Sequence, residues 1–272
     1  MPELPEVETT RRGLEPHLVG QRIDKIEVRD PRLRWPVPRR LNELASGVTI
    51  RSIERRAKYL LIDCGGKGWI ILHLGMSGRL RVLPQATPYS RHDHIDIVLS
   101  SGMLARFTDP RRFGALLWTS KHPSQHSLLG SLGPEPLEDN FDANWLHKRT
   151  RGRSVAIKVA LMNSHIVAGV GNIYANEALF RARINPNTKA GRLSLQRCAT
   201  LVAEIKQTLT DAIAAGGSSL RDFFGTDGSP GYFQQQYMVY GRQGEPCKNC
   251  GSEIRGARLG QRSTFYCTRC QR

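Results

Sequence analysis

Residues 49–64 read TIRSIERRAKYLLIDC, a short run rich in Ile, Leu and Tyr that closes on a Gly pair, which is the pattern of strand rather than helix. Runs of the same kind follow at 68–75 (GWIILHLG), 79–83 (RLRVL), 94–100 (HIDIVLS), 104–109 (LARFTD) and 114–119 (GALLWT), with Gly, Pro and Ser between them. From about Ile23 to Trp118 this spacing predicts an all-β sandwich or barrel. Upstream, MPELPEVET (1–9) predicts a leading helix. Proline suits a first turn and acids there oppose the macrodipole, while Leu4, Val7, Leu14 and Leu18 approximate one apolar stripe.

Downstream, SLGPEPLEDNFDANW (131–145) is a Pro-rich, acidic change of texture that reads as a linker into a second region of helices. Ser154 is a candidate cap for VAIKVALMN (155–163), GVGN (169–172) interrupts, and IYANEALFRARI (173–184) resumes. The run SLQRCATLVAEIKQTLTDAIAAGG (194–217) predicts a long amphipathic helix stopped by its Gly pair, with Leu201, Val202, Ile205, Leu209, Ala212 and Ile213 inward. Residues 216–241 carry six glycines among aromatics and read as a mobile loop of the lid type. The expected class is α+β and multidomain. The expected divisions are a β-sandwich domain at 1–133, a helical domain at 134–240 with its mobile loop at 216–236, and a terminal hairpin at 241–272.

Forty Lys and Arg against 24 Asp and Glu give a formal charge of +16 over 272 residues. A surplus of that size serves a polyanion, most often nucleic acid, because each neutralised phosphate releases condensed counterions. A generally basic protein with no such partner is the plain alternative. No apolar run approaches the roughly 20 residues of a membrane span, and the N-terminus lacks signal-peptide character, so the expectation is a cytoplasmic protein without membrane contact.

The cysteines divide into two isolated residues, Cys64 and Cys198, and a cluster. CKNC (247–250) and CTRC (267–270) are separated by sixteen residues, which is the spacing of a tetrahedral zinc held by Cys247, Cys250, Cys267 and Cys270. A pair of redox dithiols is the alternative. A hairpin this small buries little apolar surface, so one structural zinc per chain would supply its folding energy. The clamped segment carries Arg255, Arg258, Arg262 and Arg269 beside Phe265 and Tyr266, which suits a phosphate backbone. Cys64 and Cys198 read as small buried hydrophobes.

Removal of Met1 would leave Pro2 as a secondary amine able to form an iminium with an electrophilic carbon. An α-amino group titrates near ~7.7–8.0, so part of it is a neutral nucleophile at physiological pH. The other reading of the same residues is an acid-rich helix start, with Glu3 and Glu6 on one face. Lys58 reads as a strand lysine open to partial burial and proton transfer, or to snorkelling from the sheet rim. DPRRFG (109–114) sets Arg111 and Phe113 on a loop after a turn, a combination able to unstack duplex DNA, or simply a surface Arg and a core Phe. Asn172 and the GVGN amides form a phosphate site or an ordinary cap.

In order and over nearly the whole chain, PELPEVET (2–9), RRAKYLL (55–61), HLGMSG (73–78), TDPRRFG (108–114), LGPEPL (132–137), GVGNIYANEALF (169–180), GEPCKNCG (244–251) and QRSTFYC (261–267) resemble the formamidopyrimidine-DNA glycosylase family. With endonuclease VIII it belongs to the helix–two-turn–helix glycosylases. The resemblance implies base-excision repair of double-stranded DNA carrying oxidised purines (8-oxoguanine, formamidopyrimidines), with lyase cleavage at abasic sites by β,δ-elimination.

By the same resemblance Pro2 is the nucleophile, Glu3 the proton donor for base loss, Lys58 the donor for β-elimination, Arg262 the donor for δ-elimination, and Glu6 a supporting carboxylate. His92, Arg111, Arg153 and Asn172 match DNA contacts, Met76 and Phe113 match residues that fill the gap left by a flipped nucleotide, and His73 matches a phosphate contact. A monomer in the bacterial cytosol, associated with the nucleoid, is implied. Activity on oxidised pyrimidines, as in endonuclease VIII, and a non-catalytic zinc DNA-binding module are the competing readings.

Overall fold

The runs between Ile23 and Trp118 become eight strands in two four-stranded antiparallel sheets. The computed structural model describes residues 2–218 and 232–272. Most of the Gly-rich run expected at 216–236 lies outside the described residues. One sheet has the order β1 (Ile23–Val28), β6 (Asp93–Leu99), β7 (Met103–Thr108), β5 (Arg79–Pro84). The other has β2 (Ser52–Arg56), β3 (Tyr59–Asp63), β4 (Trp69–His73), β8 (Ala115–Thr119). In the second sheet Leu60 pairs with Leu72 and Leu72 with Leu116, which sets an apolar row across the strands. That row joins Ile95, Ile97, Ala105 and Phe107 of the first sheet in one core cluster. Each such side chain stabilises the fold by roughly 1.5–3 kcal/mol of transfer free energy.

Helix α1 (Leu4–Leu18) packs against β2, β3 and β5, and its expected stripe of Leu4, Val7, Leu14 and Leu18 is buried. Glu8 fixes it to β2: its carboxylate accepts from Arg11, Arg12 and Arg55, and Arg11 also reaches the Ile53 carbonyl. Burial alone would raise the Glu8 carboxyl, but these guanidiniums outweigh it and hold it below the usual range.

The sandwich's polar side is not all solvated. Arg106 and Asp96 are 2 % and 1 % exposed. The Arg106 guanidinium grips both Asp96 oxygens, at 2.9 and 2.8 Å, and spends its other donors on the Thr87 and Pro88 carbonyls. A short helix α2 (Leu41–Ala45) covers β1.

The chain divides into two compact units, Met1–Ser131 with Ala215–Gln234, and Leu132–Ala214 with Gln235–Arg272. The second unit holds α3 (Ala143–Thr150), α4 (Ile157–Leu161), α5 (Asn172–Arg181), α6 (Leu195–Ala214) and a hairpin of β9 (Arg255–Leu259) and β10 (Arg262–Tyr266). Helix α6 follows its amphipathic pattern, burying Cys198, Leu201, Val202, Ile205, Leu209 and Ala212. It stops at Gly216 and Gly217, both in the left-handed region.

Three local readings are corrected. Ser154 caps nothing: α4 starts at Ile157, because residue 156 bridges Lys189 and keeps that stretch extended. Of the 131–145 stretch, residues 132–145 are built into the second unit, with Phe141 fully buried and Asp142 capping α3 through the Trp145 N–H. Lys58 lies in the two-residue turn between β2 and β3, not in a strand.

Candidate active site and nucleic-acid interface

In the first unit Pro2 and Glu3 are buried just ahead of α1. Glu6, one turn inside, accepts the Glu3 N–H with Oε2 at 2.8 Å and the Ser218 N–H with Oε1 at 2.8 Å. Gly217 lies flat on it, since a Cβ there would approach Glu6 Oε1 to 3.1 Å. The carboxylate therefore fixes the chain that precedes the helix, and the positive end of the helix dipole lies at that same point.

Lys58 sits beside Ala57, a non-Gly residue at φ +53°. Across the sheet Tyr59 pairs with His73, their rings 4.8 Å apart. The His73 Nδ1 accepts the Gly75 N–H at 2.9 Å. Burial, and then the charges of Lys58 and Arg34, lower its pKa to about 4. The ring is neutral at pH 7, so any phosphate contact it makes is a hydrogen bond from Nε2 rather than an ion pair.

His92, Met76, Arg111 and Phe113 come from three loops that meet at one carboxylate. Asp109, fully buried, accepts the Ser77 hydroxyl at 2.8 Å and the Gly114 N–H at 2.7 Å. Its own N–H reaches the His92 carbonyl at 3.0 Å, and Ser77 Oγ takes the Arg111 N–H at 3.2 Å. Gly75 and Gly114 make the contact possible, since a Cβ on Gly75 would stand 2.4 Å from the Gly114 nitrogen. The result is a rigid platform with Phe113 45 % exposed and the Arg111 guanidinium 5.0 Å over its ring. An exposed aromatic beside a cation, on a fixed loop, can enter a base stack.

In the second unit Arg262 opens β10, exposed, after a tight turn in which Gly260 and Gln261 both have positive φ. The next residues are held from below. Lys158, with no exposure at all, donates to the Ser263 carbonyl at 2.7 Å and to Thr264 Oγ1 at 2.8 Å. Asn172 Nδ2 donates to the same carbonyl at 3.0 Å, and Asn176 Oδ1 accepts the Phe265 N–H at 2.8 Å. Asn172 is the first residue of α5, with Gly171 as N-cap. Glu177 accepts the N–H groups of Met238, Val239 and Tyr240 at 2.8–3.0 Å, fixing the segment that leads into the hairpin. Arg153 is exposed and apart from this group, its Nε on the Arg149 carbonyl.

Asp109, Lys158, Asn176 and Glu177 are the positioning residues that sequence reading passed over. For Lys158, Asn176 and Glu177 the only signal was polarity inside apolar runs, clearest in NIYANEALF, of which residues 173–180 are all buried, and for Asp109 it was the Asp-Pro turn.

The four clustered cysteines bring their sulfurs within 4.8 Å of one another, with 3.9 Å between Cys247 and Cys270 and 3.5 Å between Cys250 and Cys267. A zinc with Zn–S bonds of ~2.3 Å needs sulfurs about 3.8 Å apart, whereas a disulfide needs ~2.05 Å. The set fits one tetrahedral zinc. Cys64 and Cys198 are fully buried elsewhere, and burial pushes the Cys64 thiol up to about 12.

Residues 1–116 match the family described as formamidopyrimidine-DNA glycosylase N-terminal domain, 132–224 its H2TH domain, and 244–272 a zinc finger found in FPG and IleRS. The chain is 58 % identical, over the full length of both proteins, to formamidopyrimidine-DNA glycosylase of Stutzerimonas stutzeri. Among solved structures it resembles a Lactococcus lactis FPG variant in complex with a Fapy-dG containing DNA, at 36 % identity and TM-score 0.92 with all of both chains covered. The L. lactis Fpg complex with an abasic site containing DNA gives 35 % identity and TM-score 0.92 at the same coverage.

Proposed function

The chain belongs to the formamidopyrimidine-DNA glycosylase family, and on that premise we propose that it removes oxidised purines from duplex DNA and then cuts the strand at the abasic sugar. It is a base-excision DNA glycosylase. Relatives of the same fold have been solved on DNA containing Fapy-dG and on DNA containing an abasic site, and both are substrates in this reading. The observation that carries it is the carboxylate of Glu6 holding the buried Pro2–Glu3 segment at the positive end of α1.

Pro2, freed as a secondary amine by loss of Met1, attacks the deoxyribose C1′. The C1′–N bond breaks, its electrons leaving with the base, and Glu3 supplies the proton that assists departure and ring opening. A positioned acid contributes about 10²–10⁴-fold to such a step. The helix dipole disfavours protonation of the amine and so keeps it nucleophilic.

The iminium acidifies C2′–H. Loss of that proton expels the 3′ oxygen, and a second elimination expels the 5′ oxygen, with Lys58 and Arg262 as the respective proton donors. Flipping the nucleotide costs a few kcal/mol, offset by backbone contacts from His92, Arg111, Arg153, Asn172 and His73 while Met76 and Phe113 fill the gap. Zinc, bound by four cysteinates, supplies folding free energy to the hairpin that carries Arg262 and has no open position for substrate.

The proposal includes a functional division into a catalytic domain (1–133), a helical DNA-binding domain (134–240) and a zinc hairpin (241–272). It also includes a monomer working in the bacterial cytosol without membrane contact. Among the described residues no helix is long and apolar enough to cross a membrane. Borohydride added during reaction with duplex DNA containing 8-oxoguanine is expected to trap a one-to-one adduct whose cross-linked peptide begins at Pro2. An adduct mapping to Lys58, or undiminished trapping after an N-terminal extension that blocks the amine, overturns the assignment.

A further inference from the structure

The second unit carries a feature that this reaction does not use: a basin of about 480 Å³ lined by Arg183, Asn249, Cys250, Arg269, Cys270 and Arg272. Three arginines line one hollow. None of the three forms an ion pair with a carboxylate among the described residues, and none has another partner in the wall. Other exposed arginines, Arg22 with Asp24 and Arg32 with Asp30 among them, are held in ion pairs.

The fold holds this arrangement in place. Arg183 is a non-Gly residue at φ +56°, a conformation that costs about 1–2 kcal/mol and needs support from its surroundings. That support is the chain end: the Arg272 N–H bonds the Arg183 carbonyl at 3.2 Å, and Gln271 Nε2 bonds the Ile184 carbonyl at 2.9 Å. Gln271 Oε1 in turn takes the Cys267 N–H at 2.9 Å, so the zinc knuckle, the 183–184 turn and residues 271–272 are one sewn piece. Asn249 and Arg269 project from the two knuckles into the same hollow.

We propose that this basin is a binding site for a phosphate-type oxyanion, held by Arg183, Arg269 and Arg272 with the Asn249 amide as a neutral donor. Guanidinium forks match the oxygens of an oxyanion in pairs, which favours that class over a halide, and a phosphate can engage several arginines at once. The zinc-loaded cysteine cluster on the floor carries a formal −2 from four thiolates and one Zn²⁺. Arg183, Arg269, Arg272 and Arg197, the last bonded to the Arg272 main-chain oxygen, carry four positive charges against that −2 and the carboxylate at residue 272. The oxyanion is either a DNA phosphodiester or free phosphate, and the chemistry of recognition is common to both.

The test uses the full-length zinc-loaded protein. Titration with pyrophosphate, followed by calorimetry and by the arginine Nε–H resonances, is expected to saturate at one site and move the signals of Arg183, Arg269 and Arg272. Arg183→Gln with Arg269→Gln should weaken binding at least tenfold while one zinc per chain is kept. If that pair loses zinc, Arg183→Gln alone, outside the knuckles, must still weaken binding several-fold.

DNA as the source shows as a shallower log–log salt dependence for the variant on a long duplex, by about 0.9 for each phosphate no longer neutralised, with no change on a short lesion duplex. Free phosphate as the source leaves both slopes unchanged. Absence of saturable binding by the wild type, or equal binding by wild type and Arg183→Gln, overturns the proposal. Base release from the short duplex is expected to be unchanged in Arg183→Gln, so this failure is distinct from failure of the glycosylase reading.

Discussion

The two units each hold cations on short loops, but by different means. In the first, the platform of Arg111, Phe113, Met76 and His92 is pinned by Asp109 at the edge of a sandwich whose apolar core runs through both sheets. In the second, the hairpin that presents Arg262 has only a small cluster of Phe180, Val239, Cys247, Ile254 and Cys267 beneath it. Its position depends on four cysteines and on polar side chains from α4 and α5. A platform on a large core is stable by itself, whereas one on a small core needs a metal and buried hydrogen bonds.

Zinc removal should separate the two most widely. Structural zinc contributes ~10–16 kcal/mol of apparent folding free energy in small fingers. Chelation, or Cys250→Ser, is expected to release one zinc per chain, abolish hydrogen-exchange protection in 255–266 and weaken DNA binding. The thermal transition of the sandwich should stay in place. An equal shift in both would break the contrast.

The converse perturbation is Asp96→Asn. It leaves the buried Arg106 without its bidentate partner, and breaking a buried pair costs about 3–5 kcal/mol. Burial alone would raise the Asp96 carboxyl, but hydrogen bonds from Arg106 and Arg29 hold it below the usual range. The pair's contribution is therefore complete above the unfolded carboxyl value of ~3.9 and is lost as pH falls through the lower folded value. Denaturant unfolding at pH 7 should show the loss in the first unit, with zinc content unchanged.

A smaller effect sharpens the account of the second unit. Lys158→Met removes two charge-assisted bonds to β10, each worth roughly 1.5–3 kcal/mol at most, while keeping the volume of the stem. Exchange of the Phe265 amide is expected to quicken and zinc affinity to fall several-fold, with the sandwich unaffected. Unchanged exchange would mean that the metal alone positions the hairpin.

What could be read from the chain follows the same divide. The sandwich strands, the α1 stripe and the cysteine spacing are local patterns, and they appear where expected. Asp109 was visible only as half of an Asp-Pro turn, because its partner Ser77 is 32 residues away. Lys158 looked like any helix lysine, since the carbonyl it serves is 105 residues downstream. Lys58 was misplaced because its turn uses Ala57 at positive φ, where sequence rules look for Gly or Asn. The site residues themselves came from the family resemblance, since charge and periodicity cannot tell a catalytic Lys58 from one at a sheet rim.

The smallest expected effect tests how α1 is seated on the sandwich. Glu8 joins Arg11 and Arg12 of the helix to Arg55 of β2, next to the turn of Lys58. Its side chain is 12 % exposed, so solvent screens part of the attraction and Glu8→Gln should cost only about 1 kcal/mol at pH 7. Because the folded carboxyl lies below its ordinary value, the wild-type advantage is full above the unfolded value of ~4.3 and disappears as pH falls through the folded one. Stabilities of the two proteins should therefore converge as pH falls below the ordinary carboxyl range. A gap that persists there would assign the cost to packing between α1 and β2, and a gap absent at pH 7 would show that the apolar stripe seats the helix without Glu8.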